Sequence, residues 1–100
     1  MKYEKVENRL GIEYKFSEKI TFQDIEEFNT LIEEVKNNKI KHLILNLSQV
    51  TYIDCSGLGL FLLLDYNFIE DLTKVYFKQV PDYIYPLLKG FGFNSNFRFI

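Results

Sequence analysis

From Ile12 to Ser17 the chain alternates strictly, with Ile12, Tyr14 and Phe16 set against Glu13, Lys15 and Ser17. A period of two is the mark of a half-buried strand. Lys2–Val6 is a weaker extended run, and Asn8-Arg9-Leu10-Gly11 between the two reads as a turn, so the chain opens with a predicted antiparallel hairpin. The period then lengthens. Phe22, Ile25, Phe28, Leu31, Ile32 and Val35 recur at helical spacing, while Glu26, Glu27, Glu33 and Glu34 fall mostly off that stripe. Thr21 followed by Asp24 makes the capping-box pattern that opens a helix, with Asp in place of the usual Glu or Gln. Lys36-Asn37-Asn38-Lys39 suits the negative end of the helix dipole and the helix exit.

Alternation returns at His42–Leu47, with Leu43, Leu45 and Leu47 on one face and Ile44 and Asn46 on the other. A short extended run (Val50, Tyr52, Ile53) then ends at Asp54, and Cys55-Ser56-Gly57-Leu58-Gly59 leads into a solid apolar run. That pattern predicts a strand-to-helix turn and a helix from Ser56 to about Glu70. Lys74–Val80 is the next strand. Pro81 opens a short helix, roughly Asp82–Lys89, ending at Gly90, because its missing N–H is not needed in a first turn. Phe97–Ile100 closes the chain as a strand or extended tail. Strands alternating with helices after an opening antiparallel hairpin argue a single α/β domain over residues 1–100, with a mainly parallel four- to five-stranded sheet. Right-handed crossovers between strands laid down in order put the helices on one face. Leu43, Leu45, Ile25, Phe28, Ile32, Leu58 and Phe61 are the expected shared core.

Composition narrows the function. No apolar run approaches the roughly 18–20 residues of a membrane span, so no membrane insertion is expected. Net charge is −2, and without a basic cluster along the sequence a nucleic-acid partner is not expected either. The single cysteine cannot form an internal disulfide, and the first residues lack a basic-then-apolar export pattern. The expectation is a cytoplasmic protein.

Candidate chemistry gathers where the second helix begins. The first N–H groups of a helix lack intrahelical acceptors, and with the dipole they favour a negative or nucleophilic group at Cys55–Ser56. Asp54 is placed either to cap the helix or to orient Ser56. The plain structural alternatives are that Ser56 caps the helix and Cys55 is a small packed residue. Further along, Leu58, Phe61, Leu64 and Phe68 share the side expected to face the sheet. Ser56, Gly59, Leu62, Leu63, Tyr66 and Glu70 fall on the other. A helix apolar nearly all round is covered on both sides or presents a docking surface. Ser56, Gly57 and Gly59, with a rim of Leu62, Leu63 and Tyr66, are the candidate partner-binding residues. Cover by the last helix or by a second copy in a homodimer is the competing explanation. His42 is the only histidine, with no second ligand at metal spacing, and no carboxylate pair stands out for acid–base work. Gly57-Leu58-Gly59 lacks the lysine and spacing of a phosphate loop. The expectation is no metal, no cofactor and no enzyme.

From Leu43 to Leu64 the sequence reads L-I-L-N-L-S-Q-V-T-Y-I-D-C-S-G-L-G-L-F-L-L-L. This order of strand, Asp, small polar pair, Gly-Leu-Gly and apolar helix resembles the signature of STAS domains, the bacterial anti-sigma factor antagonists and their relatives. The flanking elements fit in order over essentially the whole chain. The resemblance implies a binding protein that docks on a kinase-type anti-sigma factor and so releases a sigma factor. It also implies that the residue after the Asp is the Ser or Thr that this kinase phosphorylates, adding roughly −1.5 to −2 charge at the binding face. Here Cys55 holds that position, and a thiol is not a substrate for a Ser/Thr kinase. Ser56, at the family's second hydroxyl position, is a candidate substitute acceptor, with simple capping of the helix as the alternative. Relatives often carry an Asp loop beside the acceptor, where this chain has Glu18 and Thr21 within Ser17–Thr21 and no Asp before Asp24. These departures imply a constitutive antagonist or decoy. The alternative within the resemblance is a stable subunit of a larger assembly, such as a lipid-transport ABC system or a stress-sensing complex.

Overall fold

Five strands, β1 (Lys2–Glu7), β2 (Gly11–Ile20), β3 (His42–Ile53), β4 (Lys74–Lys78) and β5 (Phe97–Phe99), lie side by side in chain order among the residues described. The computed structural model describes residues 2–7, 9, 11–68, 73–90 and 97–100. The β1–β2 pair is the antiparallel hairpin, and every later pairing is parallel. A 3₁₀ turn at Phe22–Asp24 leads into α1 (Ile25–Asn37); α2 is Cys55–Phe68 and α3 is Tyr85–Gly90.

Register fixes which face is buried. Tyr14 pairs with Leu45 and Leu45 with Phe77, which in turn faces Phe99. Because side chains in register share a face, these four form one apolar row. The three helices pack on that face. Aromatic rings run across it from Tyr3 through Phe16, Phe28 on α1, Phe61 on α2 and Phe77 to Phe99, with successive centroids 5.4–6.4 Å apart. Tyr85 of α3 meets Phe99 at 4.9 Å. Leu43, Leu45, Phe28, Ile32, Leu58 and Phe61 are all buried in this core, with Ile25 packed against it half-buried. The other face is polar. On it Glu13 pairs with Lys78 at 3.2 Å, and buried Asn46 donates to Glu13 and Gln79.

Four features depart from the sequence expectation. The first is β3, which is one strand of 12 residues rather than a strand at His42–Leu47 followed by a separate extended run. Its register against β2 slips between Lys15 and Ser17 and again between Glu18 and Lys19, each time with one extra residue on β3. A bulge resets the alternation, so Leu47, Val50 and Ile53, three apart, are all buried. The Asn46 carboxamide oxygen accepts the Ser48 N–H at 2.9 Å within the first irregularity, and the Tyr83 hydroxyl donates to the Val50 carbonyl beside the second.

The second departure is that β2 continues through Glu18, at φ 66°, to Ile20. The third is Phe22, which is 58% exposed because the capping box of Thr21 and Asp24 closes a 3₁₀ turn first; the apolar stripe therefore starts at Ile25. The fourth concerns the late elements. β4 stops at Lys78, with Gln79 at φ 53°, and α3 starts at Tyr85 after a turn in which the Pro81 carbonyl accepts from both Ile84 and Tyr85. α3 includes Gly90. The expected extension of α2 to Glu70 lies outside the described residues.

Candidate functional site

β3 delivers Asp54 to the start of α2, and the Asp54 carboxylate organises the first helical turn. Its Oδ1 accepts the Gly57 N–H at 2.7 Å and the Ser56 hydroxyl at 2.7 Å, while its carbonyl accepts the first helical bond from Leu58 at 2.9 Å. Asp54 is thus both the helix cap and the residue that orients Ser56, and Ser56 is not the cap. These contacts, the Ser56 hydroxyl first and the Gly57 N–H next, hold its carboxyl below the usual carboxylate range. A hydrogen bond to the charged form favours that form.

Ser56 is exposed, and its Oγ also accepts the Phe22 N–H at 3.2 Å. The hydroxyl therefore bridges the start of α2 to the turn before α1. Cys55 is an exposed free thiol one residue ahead of it. α2 begins at Cys55 rather than Ser56, so both side chains stand on the first helical turn.

The two glycines of the motif have different surroundings. Gly57 is buried, and a Cβ there would sit 2.3 Å from the Ile20 carbonyl oxygen. It is the contact point between α2 and the end of β2, and it offers a partner no open surface. Gly59 faces open space. On the same side of α2 Tyr66 is 77% exposed, Leu62 is half-buried, and Leu63 is half-buried with part of its side chain against the core. On the opposite side Leu58, Phe61, Leu64 and Phe68 are buried, as expected, and Leu60 and Asp65 are buried with them.

Sequence reasoning missed the ground beside the motif. A cavity of about 430 Å³ opens between Lys19, Thr21, Phe22, Gln23, Tyr52, Asp54 and Ser56. Phe22 and Tyr52 are exposed aromatics on it. Their exposure depends on the capping turn and the second β3 irregularity, and the apolar pattern assigned both residues to buried or extended runs. Asp24 is buried and accepts the Thr21 N–H at 2.9 Å, so its carboxylate serves the cap. Glu18 pairs with Lys2 at 3.4 Å.

Other candidates stay apart. His42 is the first residue of β3 and Cys55 lies past its other end, so the length of the strand separates them; His42 instead lies 3.3 Å from the Tyr76 hydroxyl. No group of metal-ligating side chains occurs among the described residues, and no described helix is long and apolar enough to cross a membrane.

Comparison with known proteins bears on this arrangement. The STAS domain model matches residues 3–100. The fold is similar to that of the anti-sigma factor antagonist SpoIIAA in its unphosphorylated form, with a TM-score of 0.75 at 11% identity, covering 97% of this chain and 86% of the other. It is equally similar to SpoIIAA, the Bacillus cell fate determinant, in the phosphorylated form, at TM-score 0.75 and 12% identity over 99% of this chain and 91% of the other. A search of curated protein sequences finds no match.

Proposed function

Because the chain belongs to the STAS domain family, we propose that it is a non-enzymatic regulator that acts by docking a protein partner on the surface running from Cys55 to Tyr66. We place the turn at Phe22 and the neighbouring Tyr52 on the same surface. The partner in this reading is a kinase-type anti-sigma factor, and the protein works in the cytoplasm as its antagonist. The observation that carries the reading is the ordered start of α2. Asp54, Ser56 and the Phe22 N–H hold one another in place, with exposed Gly59, Tyr66, Phe22 and Tyr52 along the same surface. Such a surface is built to be recognised rather than to turn over a substrate.

Cys55 stands where the family's phosphoacceptor is expected. A thiol there removes the usual switch, so the wild-type protein binds its kinase whether or not ATP is present. Ser56, the candidate substitute acceptor, donates its hydroxyl proton to Asp54 and accepts the Phe22 N–H, so its phosphorylation requires the Phe22 contact to give way.

The test is intact-mass measurement after incubation with the partner kinase, captured from the native lysate, and ATP. Wild type stays unmodified and bound, while Cys55→Ser gains one phosphate and is released. A phosphate on wild type, mapped to Ser56, overturns the constitutive reading. Capture of a transporter ATPase instead of a kinase replaces it with the assembly-subunit reading.

A further inference from the structure

At the end of β3 remote from Asp54, the fold gathers positive charge that the sequence leaves scattered. Arg9 between β1 and β2, and Lys39 and Lys41 between α1 and β3, line one cavity of about 420 Å³ together with His42, Gly11 and Asn38. Gly11 makes the convergence possible. A Cβ at this position would lie 1.9 Å from the His42 carbonyl oxygen, so only glycine lets the hairpin connection close onto the start of β3.

These cations have no structural task in the fold. Arg9, Lys39 and Lys41 make no ion pair among the described residues, whereas Lys2, Lys5 and Lys78 each find a glutamate. Nor are they needed at the end of α1. The Ile40 N–H bonds to the Val35 carbonyl, Lys39 N–H to that of Lys36, and Asn38 through both backbone and side chain to that of Glu34. That is a complete Schellman closure, which satisfies the last carbonyls with backbone donors. Its left-handed position is held by Lys39 at φ 52°, where glycine is the easy residue. A strained lysine at a position that asks for glycine, beside two further unpaired cations, is an observation that calls for a ligand. No described acidic residue lines the cavity. Glu7 borders only a smaller adjoining one, and is itself paired with Lys5 at 3.3 Å.

We infer that Arg9, Lys39, Lys41 and His42 form a binding site for a small phosphate-type oxyanion. Arg offers a planar fork of donors and the lysines compact charge, the pairing that suits phosphate oxygens. The volume falls in the range of small-molecule sites. His42 is the only aromatic ring among the described residues of the wall, so the site grips phosphate groups and has no platform for stacking a base. The occupant is therefore free pyrophosphate or phosphate, or the phosphate end of a small metabolite.

The test is titration of the isotope-labelled full chain with inorganic pyrophosphate, followed by amide NMR against a potassium chloride control of matched ionic strength. Saturable shifts are expected at Gly11 and at Lys39–His42, with Asp54–Gly57 unmoved. Arg9→Gln and Lys41→Gln each weaken the affinity about threefold to fivefold, the scale of one partly screened charge contact. Lys39→Gly weakens it similarly while raising the melting temperature, an outcome that separates ligand binding from a structural role. A parallel titration with ADP distinguishes the sources. Equal affinity means that the phosphates alone are read and supports the site, whereas tighter binding of ADP at the same amides means that the nucleoside is read too and overturns the phosphate-only occupant. Shifts that match the chloride control or spread over Lys15, Lys19 and Lys74 overturn it, as do Arg9→Gln and Lys41→Gln proteins that bind like wild type.

Discussion

Gly57 and Gly59 are separated by one residue and look interchangeable in the sequence, yet replacing them should have opposite outcomes. At Gly57 the obstacle is a backbone carbonyl, that of Ile20, only 2.3 Å from where a methyl would sit. A carbonyl in a strand cannot swing aside as a side chain can. Gly57→Ala should therefore destabilise by about 1–3 kcal/mol, the usual cost of overpacking, even though alanine is the better helix former. At Gly59 nothing lies in the way, so Gly59→Ala should stabilise by about 0.5–1 kcal/mol through helix propensity alone. Urea midpoints of the two variants decide the matter. Equal shifts in the same direction would contradict the assignment of one glycine to internal packing and the other to open surface. Of the two glycines named as candidate partner-binding residues, only Gly59 has open space beside it. A sequence names a glycine but not its neighbours, and the neighbour here is a carbonyl on a strand far away in sequence.

Elements were legible wherever a single period governed them. The hairpin, α1 and α2 were readable from their spacing, as was the side of α2 that is buried. So was the Asp54–Ser56 turn, because a strand that ends on Asp before an apolar helix leaves few other arrangements. What stayed hidden is where the period changes inside one element. β3 alternates to Leu47 and then buries Leu47, Val50 and Ile53 at intervals of three, a spacing that mimics a helix and is produced by two register slips. The exposed positions of Phe22 and Tyr52 depend on such local irregularities, so the cavity beside Ser56 could not be read from pattern. Asn46 anchors the first slip, since its side chain serves Ser48, Glu13 and Gln79 from a buried position. Asn46→Ala should cost about 1–3 kcal/mol, the penalty of leaving buried polar groups without partners. Leu45→Ala, one residue earlier on the helix-covered face, should cost about 2–5 kcal/mol for the cavity it opens. Chemical denaturation of both measures this, and an Asn46→Ala protein as stable as wild type would remove Asn46 from its anchoring role.

At the scale of the whole molecule, one cluster ties the hairpin to the helical layer. Glu34 of α1 accepts from the Tyr14 hydroxyl on β2 and from Lys5 of β1, the latter at 2.9 Å. The Tyr14 bond, with Lys5 second, holds the Glu34 carboxyl below its ordinary range. The same contacts act in reverse on the donors. Lys5 is raised by Glu34 first and Glu7 second, and Tyr14 is pushed up by burial first and by Glu34 second. A depressed carboxyl contributes stability above its unfolded value near 4.3 and loses it as pH falls through the lower folded value. Raised donors contribute below their unfolded values near 10 and lose the contribution as pH rises through the folded ones. Stability should therefore fall on both flanks of neutrality, and Glu34→Gln should flatten the two flanks unequally. On the acid side Glu34's share disappears, leaving the share of Asp54, whose carboxyl is also lowered. On the alkaline side the variant loses Glu34's pull on Lys5 but keeps that of Glu7 and the burial of Tyr14, so most of the decline above a pH of about 10 remains. Urea midpoints of wild type and Glu34→Gln, measured from acid to alkaline pH, provide the check. Curves that run parallel across the whole range would show that the cluster does not couple the hairpin to α1 through charge.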